Sequence, residues 1–309
     1  MRVLVTGGSG FLGKHVIERL VELSYADVIA PNSKEYNLLR YYECSQLFAT
    51  NAPDVVIHLA ATCGGIGANK ENPGKYFYNN IMMGINVIEA ARLSGVSKFI
   101  MVGTVCSYPK YCKTPFKEED IWSGYPEETN APYGIAKKSL YTMLQAYYEQ
   151  YNFNSSVFLL SNLYGQYDNF KEESSHVIPS LILKFDKAIQ NDHEDVEIWG
   201  TGTPSREFLH AKDASRALCS SIGIDSSPSP INIGTGKEIL IDTLARKIQK
   251  IMGHKGDIVY NHAYPDGQPR RSLDVSKAKK MFNFQSEIGL DSGLEQTISW
   301  YKDNKCIKV

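Results

Sequence analysis

Cysteine is scarce and scattered: the 309 residues hold six (Cys44, Cys63, Cys106, Cys112, Cys219 and Cys306), with no C-x-x-C pair among them. That spacing argues against a zinc site and against the dense framework of a secreted disulfide scaffold. No apolar run approaches the ~18–20 residues of a membrane-crossing helix. The N-terminus passes from Met1-Arg2 through Val3-Leu4-Val5 straight into glycines, without the basic and apolar regions of a cleavable leader. An excess of either charge is missing as well: 33 Lys and Arg stand against 34 Asp and Glu, a net charge of -1. Such a balance excludes a global electrostatic grip on nucleic acid or anionic lipid, so any polyanion must be held locally. The expectation is a cytoplasmic chain with reduced thiols, no metal, and neither nucleic acid nor membrane as partner.

Fixed-period repeats and low-complexity tracts are also lacking; Asp225–Pro230, rich in Ser and Pro, reads as a surface connection. What is present is a rhythm. Short apolar runs at Val3–Val5, Val28–Ala30, Val55–Leu59, Phe99–Val102 and Val157–Leu160 read as buried strands, each followed by an amphipathic stretch. Leu12, Val16, Ile17, Leu20 and Leu23 recur at helical spacing and place an apolar stripe on the first helix. Alternation of this kind predicts an α/β fold, a Rossmann-type doubly wound parallel sheet. After about residue 165 the rhythm breaks into turn-rich segments (Tyr167–Ser175, Gly200–Pro204), returns to strand at Ile231–Ile233, and ends in two helical patterns. Residues 1–165 with about 205–235 are expected to form the cofactor domain, and about 166–204 with 236–309 a smaller α/β substrate domain.

Thr6-Gly7-Gly8-Ser9-Gly10-Phe11-Leu12-Gly13 follows the first strand and opens the first helix. Gly7 permits the tight turn, Gly10 lets backbone approach a pyrophosphate, Gly13 allows close helix–strand packing, and the helix N-terminus supplies N–H donors. In this setting the glycines predict a dinucleotide site. At the end of the second strand, Ala30-Pro31-Asn32-Ser33-Lys34 has no carboxylate before Glu35. An acidic residue there would accept from a ribose 2′-hydroxyl and repel a 2′-phosphate. Ser33 and Lys34 instead favour NADP.

Tyr133-Gly134-Ile135-Ala136-Lys137 sets a phenol and an ammonium at i and i+4, on one face of a helix that Pro132 is placed to start. A nearby ammonium stabilises tyrosinate, so the phenol can exchange a proton with a carbonyl oxygen while nicotinamide exchanges hydride. Thr104 closes the strand Phe99–Gly103 where ligands meet parallel sheets, with a hydroxyl to offer the reacting oxygen. If the chain stays extended, Cys106 faces the same side as Thr104; a buried thiol is the commoner fate of cysteine.

These elements resemble the extended short-chain dehydrogenase/reductases, and within them the epimerase/reductases of GDP-4-keto-6-deoxymannose. The resemblance runs nearly end to end. Its carriers are Thr6–Gly13, His58-Leu59-Ala60-Ala61 with Gly64-Gly65-Ile66, Gly103–Pro109, Ala131–Lys137, Asn162–Gly165, Asp168-Asn169-Phe170, Ser175–Pro179, Trp199–His210, Asn232–Gly236 and Pro265–Arg270. It implies NADPH-dependent 3,5-epimerisation and 4-reduction of GDP-4-keto-6-deoxy-D-mannose to GDP-L-fucose. Tyr133 and Lys137 match the reductive pair, Thr104 stands where serine is usual, and Cys106 with His176 match the pair that moves protons at the carbons flanking the keto group. From residue type alone, His176 reads as a surface or capping histidine.

The resemblance further implies cofactor contacts from Gly7, Gly8, Ser9, Gly10, Phe11, Leu12, Gly13, Ser33, Lys34, Ala60, Gly103, Tyr133, Lys137, Leu160, Asn162, Leu163 and His176, and GDP-sugar contacts from Lys184, Trp199, Arg206 and Asp266. Lys184 replaces an arginine that would contact phosphate bidentately; Gly8-Ser9 replaces His-Arg and Ser33 replaces an arginine near the 2′-phosphate, so measurable use of NADH is expected. Arg270 and Arg271 form a basic pair beside phosphate or in a solvated turn. A homodimer is implied, with Ile81–Met83 and Tyr141–Tyr148 as its helical face or as ordinary core. The same chemistry on a GDP-keto-heptose or dideoxy sugar, an NDP-sugar 4-epimerase retaining NAD, and a silent NADP-binding sensor are the alternatives. Which of Cys106 and His176 is base and which acid stays open.

Overall fold

The computed structural model describes residues 1–224, 227–264 and 266–305. Asp225 and Ser226 of the expected surface connection, together with Pro265 and Cys306, lie outside the described residues. In chain order the strands are β1 (Arg2–Thr6), β2 (Asp27–Ile29), β3 (Val55–His58), β4 (Lys98–Thr104), β5 (Ser155–Leu160), β6 (Asn162–Tyr164), β7 (Val196–Trp199), β8 (Ser205–His210), β9 (Ile231–Ile233), β10 (Glu238–Leu240) and β11 (Ile258–Asn261). The helices are α1 (Phe11–Glu22), α2 (Tyr41–Asn51), α3 (Ile66–Glu71), α4 (Pro73–Leu93), α5 (Ala131–Tyr151), α6 (Val177–Gln190), α7 (Ala211–Ser220), α8 (Ile241–Met252), α9 (Ser276–Phe282) and α10 (Leu290–Asn304).

Six strands form the central sheet in the order β2-β1-β3-β4-β5-β9, every neighbouring pair parallel. Parallel strands are covered on both faces, which is why β1 is a continuous apolar run. Leu4 enters one core beside Phe48, Val56 and Met101. Val3 and Val5 enter the other, beside Val16, Leu20 and Leu218. All three are fully buried, and each such burial stabilises by about 1.5–3 kcal/mol. The strand order reverses between β1 and β3, which opens a crevice at the carboxyl ends of those strands.

Every expected strand is present, most of them a residue or two longer or shorter, and Ile231–Ile233 coincides. Along α1 the expected stripe holds at Val16 and Leu20, whereas Leu23 is 42% exposed because the helix has already ended there. Beyond residue 161 the structure adds the small sheets β10-β8-β6 and β11-β7. A third core lies among α6, α8, α10 and β7, with Phe208 and Tyr164 in it. The C-terminal region holds three helices, α8, α9 and α10, rather than two, and Ala278 of α9 returns to the core under the main sheet.

In the α4–α5 region Tyr141 takes the core alternative: it is fully buried and its hydroxyl accepts from Thr104 N at 3.2 Å. Gly103 makes room for it, since a Cβ there would meet Tyr141 Cζ at 2.7 Å. Phe77, Tyr78, Ile85, Tyr148 and Tyr151 of the same two helices are exposed. No helix among the described residues is long and apolar enough to cross a membrane.

Candidate active site

A cleft of about 1470 Å³ starts at the crevice between β1 and β3, passes the end of β4 and the first turns of α5, and reaches α6, Trp199 and Arg206. At its inner end the glycine loop is shaped as its sequence requires. Gly7 has φ +73°, and a Cβ there would meet Ala60 N at 2.7 Å. At Gly13 a Cβ would run into Gly7 O and stand 2.6 Å from Gly8 Cα, so this glycine lets α1 sit against the loop. Gly10 has nothing closer than Gly7 O at 3.2 Å, so its bareness serves whatever approaches from the cleft. It is the N-cap of α1, and the helix presents unpaired N–H groups there. These are the features of a pyrophosphate cradle, and the residues fit a dinucleotide.

Behind the cradle, His58 Nδ1 and Thr6 Oγ1 share a hydrogen bond of 2.8 Å. Burial pushes the imidazole down to about 3, so it is neutral and acts as a fixed support. Ser33 lines the outer wall, whereas Lys34, exposed in the turn after β2, does not line the cleft. Glu35 accepts from Asn32 N at 2.9 Å, so the only carboxylate of that turn folds back on backbone.

Midway along the cleft Thr104, Cys106, Tyr133 and Lys137 converge. The chain does not stay extended after Thr104. It turns through a 3₁₀ segment, Val105–Ser107, in which Thr104 Oγ1 accepts from Cys106 N at 3.1 Å, and this turn, not strand alternation, brings both side chains to the cleft. Gly134 sets α5 against the turn, since a Cβ would meet Cys106 C at 3.0 Å. Ser107 Oγ closes the contact by donating to Gly134 O at 3.0 Å. Helix α5 starts at Ala131 with proline in its first turn, as expected. Lys137 Nζ donates to Val102 O at 3.2 Å and burial pulls it down to about 8. Tyr133 moves opposite to the expectation that a lysine would lower it: burial, then the nearby Cys63 and Cys106 thiols, raise the phenol well above its ordinary value.

His176 is the N-cap residue of α6 and makes no side-chain cap bond; its ring opens to the cleft, and burial of its surroundings lowers its pKa. The segment before it is held by Gly65, whose N–H donates to Ser174 O at 3.2 Å and whose Cβ would meet Ser175 O at 2.7 Å. The Gly64-Gly65 pair thus lets the His176 segment dock.

At the far end Lys184, Trp199 and Arg206 line the wall. Asp266 does not: its carboxylate accepts from Thr201 N at 2.7 Å and Thr201 Oγ1 at 2.9 Å, bracing the turn behind Trp199. The basic pair divides. Arg270 pairs with Glu238 on the surface, whereas Arg271 is buried, donates to Gln268 Oε1 at 3.1 Å, and lies 3.6 Å from Cys106 Sγ. Gln268, not among the expected site residues, ties this segment to the chain that follows the Cys106 turn through Pro109 O and Lys110 O at 3.2 and 2.9 Å, while its own carbonyl accepts from Arg206 Nη1 at 2.6 Å. Burial and the neighbouring Arg271 push Arg206 down to about 9. Of the expected site residues, the cleft gathers all but Gly8, Lys34 and Asp266.

A model of the NAD dependent epimerase/dehydratase family matches residues 3–234. The chain is 36% identical over 313 residues to a GDP-L-fucose synthase of Escherichia coli (strain K12), covering 98% of this chain and 97% of that protein. Among solved structures, a GDP-L-fucose synthetase of Naegleria fowleri bound to NADP is similar at 30% identity with a TM-score of 0.88, covering 99% of this chain and 93% of that one. A GDP-6-OMe-4-keto-L-xylo-heptose reductase from C. jejuni is similar at 27% identity with a TM-score of 0.91, covering 98% of both chains.

Proposed function

The chain belongs to the NAD dependent epimerase/dehydratase family, and from that premise we propose that it converts GDP-4-keto-6-deoxy-D-mannose to GDP-L-fucose by 3,5-epimerisation and NADPH-dependent 4-reduction. The observation that carries the reading is the presence on one cleft of a reductive set, Thr104, Tyr133 and Lys137, and a proton-shuttling set, Cys106 and His176. Residues 1–165 with about 205–235 hold the cofactor, and about 166–204 with 236–309, joined by Arg206, receive the sugar nucleotide.

The glycine loop and the N-terminus of α1 would hold the pyrophosphate and Ser33 the ribose end of the dinucleotide, with Ala60, Gly103, Leu160, Asn162 and Leu163 lining the cleft toward Tyr133. When bound, NADPH supplies hydride to C4 of the sugar. Hydrogens at C3 and C5 are acidified by the C4 ketone, and inversion needs one group to withdraw a proton and another to deliver one from the opposite face. We take Cys106, whose sulfur lies 3.6 Å from Arg271 Nη1, as the base and His176 as the acid. Thr104 and Tyr133 donate to the C4 oxygen. The raised pKa of Tyr133 keeps its proton in place across the neutral range until the alkoxide, a far stronger base, develops. The half-buried Arg206 and the buried Arg271 guanidiniums repel each other, and a diphosphate bound beside them would relieve that repulsion.

Lys137 is an ammonium below about pH 8 and an amine above it. With its charge required at the reductive centre, kcat/KM for reduction is expected to fall as pH rises through about 8, and a Lys137→Arg enzyme to keep its activity to higher pH. Profiles measured on pre-epimerised substrate check this, because kcat/KM reports the free enzyme. A flat profile from pH 7 to 9 excludes the assignment.

The same chemistry on a GDP-keto-heptose is the second reading, supported by the TM-score of 0.91 to the C. jejuni reductase. The deciding assay supplies GDP-4-keto-6-deoxymannose and NADPH in deuterated water. NADPH consumption with deuterium at C3 and C5 supports the first reading; reduction without deuterium removes its epimerase half. A homodimer through the exposed aromatics of α4 and α5 is also proposed, with sedimentation velocity as its check.

A further inference from the structure

Trp199 and Tyr264 lie ring on ring, centroids 4.1 Å apart and planes within 6°, although the two side chains are 50% and 41% exposed. Trp199 ends β7 and Tyr264 follows its parallel neighbour β11, with Gly200 N donating to Asn261 O at 2.9 Å to tie the two strand ends together. On Trp199 also sits Lys184 Nζ, 5.3 Å from the ring centroid and anchored to Glu197 O at 2.8 Å. Rings stacked this closely leave no room for an ammonium between them, so Lys184 covers the face that Tyr264 does not. Lys184 and Trp199 line the cleft and Tyr264 does not. The layers therefore run Lys184, Trp199, Tyr264 from the cleft outward.

We propose that Tyr264 is a positioning residue for the nucleobase: it backs the indole of Trp199 and fixes its plane, so that the purine of the sugar nucleotide stacks on the cleft face in the place Lys184 now holds. This rests on the GDP-sugar reading above. A stacked base and the Lys184 ammonium cannot share that face. Binding must swing the lysine off the ring, and its flexible four-carbon stem lets it move toward the diphosphate of the same ligand. Without Tyr264 the indole is free to rotate about its χ angles, and the base must order it on binding.

Competition against the GDP-sugar substrate by GDP and by inorganic pyrophosphate separates the base from the phosphates. In Tyr264→Ala, KM and the inhibition constant of GDP are expected to rise about tenfold, as loss of one aromatic pair would give. The pyrophosphate constant, kcat and the KM for NADPH should stay within twofold, and Tyr264→Phe, which keeps the ring, should restore the wild-type GDP constant. Unchanged GDP inhibition in the alanine variant overturns the proposal, as does a loss shared equally by pyrophosphate or left unrepaired by phenylalanine. Failure of the underlying reading has a different signature: wild-type protein that GDP does not inhibit removes the nucleotide, and with it this role for Tyr264.

Discussion

Tyr133→Phe is expected to slow reduction at C4 by about 10²–10⁴-fold, the range over which a positioned general acid contributes. Deuterium entry at C3 and C5 should continue, because Cys106 and His176 are untouched. Phenylalanine keeps the ring that lies against the cleft wall, so the variant isolates the hydroxyl. The direction follows from the environment. Burial and two neighbouring thiols hold the phenol well above its ordinary value, so the group is almost wholly protonated at working pH, and the step it serves is donation. Following NADPH absorbance and deuterium incorporation in one reaction separates the two halves. Reduction at the wild-type rate would remove Tyr133 from the chemistry and revive the reading of a cofactor-binding protein without turnover.

The placement of the glycine loop and of Tyr133 with Lys137 was legible because these residues are close in sequence and tied to regular elements. A glycine cradle must follow a strand and open a helix, and a phenol four residues before a lysine must share a helix face; both hold here. The opposite displacement of Tyr133 was not legible, since desolvation depends on what the fold packs around the ring. Gly134 shows the same limit. Its spacing role is plain only once α5 is seen against the turn at Cys106.

The far end of the cleft was harder to read because it is assembled from short strands with charge inside them. β8 carries Arg206 and Glu207, which a period-2 apolar pattern does not flag, and Glu207 is tolerated in the interior because its carboxylate accepts from Thr235 N, Gly236 N and Leu273 N at 2.6–3.0 Å. Adjacent residues also part company. Arg270 and Arg271 look equivalent in sequence, yet one pairs on the surface and the other reaches the Cys106 thiol. Asp266 matches a substrate-contacting position by resemblance, while in the fold it braces the 200–203 turn. Lys34 and Gly8 likewise share a segment with cleft-lining residues and do not themselves line the cleft.

Cys106→Ser is expected to abolish the epimerase half while sparing the reductase half. Serine nearly conserves volume and keeps the backbone bond from Cys106 N to Thr104 Oγ1, so the turn should survive. What changes is acidity. A free thiol has a reference pKa of ~8.5, and Arg271 Nη1 lies 3.6 Å from the Cys106 sulfur. A serine hydroxyl is far less acidic and gives almost no alkoxide near neutral pH. Deuterium entry at C3 and C5 should fall by at least about 10²-fold, a general base's usual contribution, and net turnover of the unepimerised substrate should fall with it. Pre-epimerised substrate should still oxidise NADPH within a few-fold of the wild-type rate, because Thr104, Tyr133 and Lys137 remain. Loss of both activities would instead mean that Cys106 shapes the reductive centre. Retention of wild-type deuterium entry would place the base elsewhere, and Cys63, the other thiol on the cleft wall, would be the next residue to replace.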